Sequence, residues 1–284
     1  MQKSELINPS NDKEFRYQRR FSQIIDTLIF DLQMNWRKIL ILSSVAVVIF
    51  ALSLLLGVWQ INRNSQAFPT VEAYIQNYFS FISLFILILA VSYGSNMLVV
   101  DFQERTGNLL FPKISKSRLF IGRYLSGLIQ GGIILVFYYW LVVIPVFLEF
   151  DVIPLSFWKS LGFAVLYYIA LLSFSIFFSS IVKRSSGAVI TTLLLIIIAF
   201  PIINSIFSLS TSVEPLFLLD YYGNIISNIL NMPDQRFIKL DIEGLTIYTW
   251  FTPSESAALI GLIIYIFIFT IIAYLIYRFR QIED

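Results

Sequence analysis

Six long runs of apolar residues dominate this chain and restrict it to a membrane fold. A helix needs about 20 residues to cross a hydrocarbon core about 30 Å thick, because it rises about 1.5 Å per residue. Apolar residues fill 57% of the 284 positions and charged residues only 13%, which is more apolar surface than one soluble core buries. The runs are 39–59, 79–100, 124–148, 161–182, 188–207 and 256–277. We predict an all-α integral membrane protein with six transmembrane helices.

Basic residues are distributed unevenly around these runs, and this sets the predicted orientation. Lys and Arg are retained preferentially on the cytoplasmic side of a membrane. Sixteen of the twenty basic residues lie in the N-terminus, loop 101–123, the short connection 183–187 and the C-terminus. We predict that both termini and loop 101–123 are cytosolic and that segment 208–255 is outside. The expected location is the cell (cytoplasmic) membrane, with multiple passes.

Residues 1–38, before the first run, carry a second helical signal. Apolar residues recur there at helical spacing, opposite polar ones. The apolar face includes Ile24, Leu28, Leu32 and Trp36. This pattern predicts a cytosolic amphipathic helix lying along the inner membrane surface, although a helix packed on the protein's own loops would show the same pattern. The predicted domains are therefore 1–38, the cytosolic N-terminus and interfacial helix, and 39–284, the six-helix transmembrane domain.

Several kinds of chemistry are excluded by the residues that the chain lacks. It has no histidine and no cysteine, and so no imidazole or thiolate metal site and no Ser-His or Cys-His nucleophile pair. A GxxxxGK[ST] sequence, which builds a nucleotide-binding P-loop, is also missing. We therefore expect no enzymatic activity of its own, no cofactor, no metal and no nucleic-acid partner.

The six runs contain no Asp, Glu, Lys or Arg. Ion-coupled carriers usually place ionisable groups at membrane depth. Their absence argues against such a carrier, although backbone carbonyls are able to bind Na⁺. Energy for uphill transport would then enter from outside the membrane.

Small and mildly polar residues lie within the runs. They favour helix packing, because small side chains let backbones approach and hydroxyls bond across helices. Pairs with small-xxx-small spacing are Ala90 with Gly94, Gly127 with Gly131, and Ser175 with Ser179. Packing is the favoured interpretation, and a dimerisation face is the alternative.

Segment 208–255 has a pattern of its own. Its first part places apolar residues on one helical face, and the Met232-Pro233 break ends that pattern. The shared face comprises Leu218, Tyr222, Ile225 and Ile229. The second part predicts irregular or short extended chain. Such a segment would either cap a pathway from outside or pack on the helix bundle.

Loop 101–123 reads DFQERTGNLLFPKISKSRLFIGR and is the longest polar stretch between two runs on the predicted inner side. An acidic residue is followed by a glycine, a Leu-Leu step, a Ser-Lys turn and a Gly-Arg pair that opens the third run. The residues concerned are Glu104, Gly107, Leu109, Leu110, Ile114, Ser115, Lys116, Gly122 and Arg123. This pattern resembles ABC-2 type permeases, the membrane subunits of ATP-driven exporters. Asn108 stands where that family usually has threonine, and Pro112 precedes Lys113.

The resemblance implies a permease that acts with a separate ABC ATPase subunit and with a second permease copy or paralogue, surrounded by membrane lipid. It also implies that a short coupling helix in loop 101–123 docks on the ATPase. The implied contacts are Glu104, Arg105, Gly107, Leu110, Phe111 and Ile114. The alternatives are an ATPase-independent carrier and a membrane assembly or scaffold protein, and the loop itself would then be a plain basic connector.

Overall fold

A computed structural model describes most of the chain and shows a largely helical protein. The residues described are 9–64, 68, 70–103, 114–210, 212–242 and 245–280. Six helical segments among them are long and apolar enough to span a membrane, which confirms the predicted number of spans. These segments are Trp36–Gln60, Val71–Phe102, Lys116–Phe150, Leu155–Ile181, Ser185–Leu209 and Glu255–Phe279.

Two helices with one residue between them open the described chain. Helix α1 is Pro9–Met34 and helix α2 is Trp36–Asn64. The Asn35 side chain donates to the Asp31 carbonyl at 3.0 Å. Trp36 is the first residue of α2. The sequence pattern had grouped it with Ile24, Leu28 and Leu32, which belong to α1. Helix α1 packs along the start of the third span.

The second span is not one continuous helix. It consists of α3 (Val71–Tyr78), α4 (Ile82–Met97) and α5 (Val99–Gln103). The break before α5 is stabilised by a side chain from another helix, because the Ser179 hydroxyl accepts hydrogen bonds from the Leu98 N–H at 3.0 Å and the Val99 N–H at 3.2 Å. Backbone donors that a broken helix leaves free need such partners inside an apolar bundle.

The remaining spans complete the bundle. They are α6 (Lys116–Phe150), α7 (Leu155–Ile181), α8 (Ser185–Leu194) continuing through a π-helical turn (Leu195–Ala199) into α9 (Phe200–Ser210), and α11 (Glu255–Phe279). Only three residues separate α7 from α8, so the two helices form a tight hairpin. The π-helical turn lies just before Pro201, whose ring nitrogen has no hydrogen to donate.

Helix α7 lies at the centre of the bundle, between α4 and α11. Close packing uses the small residues that the sequence singled out. The hydroxyls of Ser95 and Ser175 are 2.9 Å apart, and a β-carbon at Gly94 would lie 2.7 Å from the Ser175 Cβ. The packing interpretation of these residues is confirmed. Helices α2, α8, α9 and α11 expose large apolar side chains on their outer faces.

The chain between α9 and α11 folds back onto the bundle. It contains a 3₁₀-helix (Asp220–Asn224), the short helix α10 (Ile225–Asn228) and an antiparallel hairpin of β1 (Phe237–Ile242) and β2 (Leu245–Trp250). The face formed by Leu218, Tyr222, Ile225 and Ile229 is buried, which favours packing on the helix bundle among the two alternatives. The hydroxyl of Ser160 on α7 donates to the Ile226 carbonyl at 2.6 Å, and Ser83 on α4 donates to the Gly223 carbonyl at 3.1 Å.

Candidate functional site

The two ends of loop 101–123 meet at one end of the bundle, which we call the loop end. The α7–α8 hairpin and the C-terminal end of α11 lie there as well, because Arg280 contacts the carbonyls of Ser180 at 2.8 Å and Val182 at 3.2 Å. Three separate parts of the chain are thus joined at the loop end.

A buried ion pair connects the helices on the two sides of the loop. Asp101 at the end of the second span is fully buried, and Arg123 near the start of the third is 12% exposed. The Arg123 Nη2 lies 2.7 Å from the Asp101 Oδ1. The other Arg123 amino group donates to the Met97 carbonyl at 2.6 Å. Because a buried charge pair is stable only with such additional bonds, this arrangement holds the two helices in one register.

Helix α11 is fastened to the same pair. The Tyr277 hydroxyl donates to the Asp101 Oδ2 at 2.7 Å, and the Tyr277 ring packs edge-on against Phe102 with centroids 5.8 Å apart. The Arg280 guanidinium lies 4.3 Å from the centroid of the Phe102 ring. We call Asp101, Phe102, Arg123, Tyr277 and Arg280 the anchor cluster.

Lys116 adds a contact at the first residue of α6. Its ammonium group donates to the Arg280 carbonyl at 2.6 Å, where a cation interacts favourably with the free carbonyls of a helix C-terminus. The hydroxyls of Ser117 and Tyr274 are 2.8 Å apart in the next turn. The start of α6 and the end of α11 are therefore bonded directly to each other.

Helix α1 contacts the same part of α6. The Arg118 guanidinium donates to the Gln23 side-chain oxygen, and a β-carbon at Gly122 would lie 2.8 Å from the Thr27 Cβ. Burial raises the pKa of the Asp31 carboxyl above its ordinary value, and the positive charge of Arg123 partly offsets this. Helix α1 is thus part of the packed structure at the loop end.

The structure places the predicted site residues in three groups. Ile114 is half-buried and packs against the apolar core of the bundle. On the N-terminal segment, Ile24, Leu28 and Leu32 are half-buried on α1, and Trp36 is exposed on α2. The predicted contacts outside the described residues are Glu104, Arg105, Gly107, Leu110 and Phe111.

The anchor cluster was not predicted from the sequence. Asp101 is the first residue after the second apolar run, and Tyr277 is the last residue of the sixth. The charge of Asp101 at the edge of an apolar run was the sequence feature that could have indicated this contact. Its partner Tyr277 could not be inferred, because the two residues are 176 positions apart.

Among the described residues, no group of three or more Asp, Glu, His or Cys side chains is arranged to hold a metal ion. The loop end is suited to a mechanical role, because buried polar bonds join several helices there and hold both ends of a polar loop.

No model of a known protein family matches the chain, and a comparison with curated proteins likewise finds no match.

Proposed function

We propose that this protein is the membrane-spanning permease subunit of an ABC exporter and moves its substrate with ATP hydrolysed by a separate ATPase subunit. The observation that supports this most directly is the anchor cluster. It ties both ends of loop 101–123 to α11 and, through Arg280, to the α7–α8 hairpin. A force applied to the loop would therefore reach several spans together.

The strength of these bonds bears on the proposal. Removing one partner from a buried ion pair typically destabilises a protein by about 3 to 5 kcal/mol. The ends of the loop are therefore costly to detach from the bundle, which suits an element that transmits movement.

The composition of the spans supports the same energy source. The six apolar runs contain no charged side chain, and the buried ion pair of Asp101 and Arg123 lies at the loop end, outside those runs. A coupling ion would find no carboxylate at mid-membrane. We accordingly place the energy input at the loop, with both termini on the cytosolic side and a second permease copy or paralogue completing the transporter.

Copurification tests the proposal. The chain is coexpressed with the ABC ATPase of a neighbouring gene, identified by its Walker A motif, and loop variants are compared in one detergent. The absence of such a gene would count against the proposal. The double variant Leu110→Ala/Phe111→Ala loses two apolar anchors. It should bind the ATPase about thirtyfold more weakly or uncouple ATP hydrolysis from transport. The variant should still be folded in the membrane.

Lys183→Ala is the matched control, because Lys183 is an exposed cation in the α7–α8 hairpin. Lys116 is less suitable for this purpose, since its ammonium group contacts the Arg280 carbonyl. Transport by the purified chain alone in liposomes, without any ATPase, would contradict the proposal and favour an autonomous carrier. Unchanged association in the Leu110 and Phe111 variant would contradict the assigned contact.

A further inference from the structure

A cavity of about 450 Å³ lies near the loop end, where α1, the start of α2, α4 and α6 meet. This volume is in the range of small-molecule sites, which is about 300 to 1,000 Å³. None of the contacts described above for the anchor cluster fills it. Its wall contains both polar and apolar side chains.

Three buried polar atoms of residues in the cavity wall have no hydrogen-bond partner among the described residues. They are the Tyr93 hydroxyl, the Gln130 Oε1 and the Arg123 Nε. Gln130 is only 1% exposed, and its amide nitrogen already donates to the Ser126 hydroxyl at 2.6 Å. Its oxygen therefore needs a donor, and the Arg123 Nε–H needs an acceptor. Because buried polar atoms are nearly always hydrogen-bonded, the occupant should supply both.

Charges of both signs lie on the same wall. The basic side chains of Lys38 and Arg123 and the carboxyl group of Asp31 belong to it, and Asp31 also interacts electrostatically with Lys38 and Arg123. Asp101 compensates part of the Arg123 charge from the side of the ion pair. A ligand with one negative and one positive group matches this arrangement, since its anion would meet Lys38 and the Arg123 Nε–H while its cation meets Asp31.

The mouth of the cavity is apolar. Phe30 is 60% exposed and Met34 is 67% exposed, and both belong to the last turns of α1, just before α2 enters its apolar run. Such positions suit hydrocarbon chains better than water. The polar interior and the apolar mouth together fit a molecule with a charged headgroup and an acyl tail.

We propose that this cavity binds a phospholipid whose headgroup carries a phosphate and a primary ammonium group. The ammonium donates to the Gln130 Oε1 and pairs with Asp31, the phosphate accepts from Lys38 and the Arg123 Nε, and an acyl chain lies against Phe30 and Met34. The site is built by this chain alone and goes beyond the proposed function, since it requires no ATPase.

Native mass spectrometry of the delipidated full chain tests this proposal. Phosphatidylethanolamine, phosphatidylcholine and phosphatidylglycerol are added separately, together with soluble phosphoethanolamine as a headgroup without chains. We expect phosphatidylethanolamine to bind about tenfold more tightly than phosphatidylcholine, because a quaternary ammonium has no N–H to donate. Phosphatidylglycerol should also bind less tightly, since it has no cation for Asp31. Phosphoethanolamine alone should show no measurable binding.

Variants locate the site. Gln130→Leu and Asp31→Asn should each reduce the preference for phosphatidylethanolamine over phosphatidylcholine at least threefold. Lys38→Gln should weaken all phospholipids. The controls are Asp26→Asn, an exposed carboxylate on the same helix, and Lys183→Gln, an exposed cation.

Gln130→Leu removes the unpartnered amide oxygen together with the hydrogen bond from the amide nitrogen to Ser126. Ser126→Ala loses the same hydrogen bond but keeps the Gln130 oxygen, so a lipid preference that is lost in Gln130→Leu and kept in Ser126→Ala separates lipid binding from a purely structural role. Equal binding of the three lipids would overturn the proposal. So would binding of soluble phosphoethanolamine as tight as that of the lipid, or variants that retain the wild-type preference.

Discussion

Tyr168 occupies the space that a side chain at position 131 would need. A β-carbon built on Gly131 would overlap the Tyr168 hydroxyl group, and this hydroxyl donates to the Gly127 carbonyl at 2.6 Å. The ring of a fully buried tyrosine on α7 therefore lies directly on the backbone of α6. The glycine is required for this approach, and the hydrogen bond satisfies the tyrosine oxygen inside the bundle.

Gly131→Ala should accordingly destabilise the protein. Tyr168 lies within the rigid centre of the bundle, so the added methyl group forces α6 and α7 apart or breaks the bond to Gly127. Overpacking of this kind typically costs about 1 to 3 kcal/mol. The measurement is the melting temperature in detergent, followed by tryptophan fluorescence or by loss of the monodisperse peak on size-exclusion chromatography.

Gly132→Ala is the matched control, because no atom lies within 4 Å of the position of its β-carbon. It should be neutral or slightly stabilising, since alanine favours helix by up to about 1 kcal/mol over glycine. Equal destabilisation by both substitutions would show that Tyr168 is not the cause.

Substitutions in the ion pair of Asp101 and Arg123 should also strongly lower the stability of the protein. Asp101→Asn leaves the Arg123 charge largely buried and weakens the bond from Tyr277. We expect about 3 kcal/mol or more of lost stability. Arg123→Gln should cost a similar amount, and the double variant should cost less than the sum, because neither charge then remains alone.

The exposed pair of Lys159 and Glu255 provides the comparison. Their charged groups are 3.3 Å apart, and both side chains are about half exposed. Lys159→Gln should change stability by at most about 1 kcal/mol. Additive effects of the Asp101 and Arg123 substitutions would contradict a direct coupling between them.

The parts of the fold that the sequence predicted are those that depend on local pattern. The length of the apolar runs predicted the six spans, and helical spacing predicted that Leu218 and Ile225 lie on one face. The break before α5 was not predictable in this way, because it depends on the hydroxyl of Ser179 from a distant helix. Pairing between distant segments leaves no periodic trace, and the strand register of Phe237 opposite Trp250 was missed for the same reason.

At the loop end, too, only local features were predictable from the sequence. The position and basic character of loop 101–123 were predicted, whereas the hydrogen bonds and the ion pair that hold its ends were not. Asp101 and Arg123 look like ordinary flanking charges of two apolar runs, and only the three-dimensional packing of α5, α6 and α11 buries them. A residue at the edge of a run therefore merits attention as a structural contact even when composition explains its charge.

Asp220 should make stability depend on pH. Burial raises the pKa of this carboxyl from 3.8 to about 6, and its Oδ1 has no hydrogen-bond partner among the described residues. The folded protein therefore binds the proton more tightly than the unfolded chain does. The resulting stabilisation is complete below the unfolded pKa of about 3.8 and is lost as the pH rises through about 6.

Asp220→Asn should remove this contribution to the pH dependence and raise the melting temperature at neutral pH, because the amide resembles the protonated carboxyl. Melting curves between about pH 4 and pH 8 provide the measurement. Asp234→Asn, an exposed carboxylate in the same segment, should leave the wild-type pH profile in place. An unchanged profile in Asp220→Asn would assign the pH dependence to other groups.

The proposed orientation predicts which positions a membrane-impermeant thiol reagent reaches in intact cells. The chain contains no cysteine, so each introduced cysteine reports alone. Ser212→Cys and Asn231→Cys lie at exposed positions between α9 and α11 and should be labelled. Lys183→Cys, exposed in the α7–α8 hairpin at the loop end, should react only after the membrane is permeabilised. Labelling of Lys183→Cys in sealed cells would reverse the orientation and place loop 101–123 beyond the reach of a cytosolic ATPase.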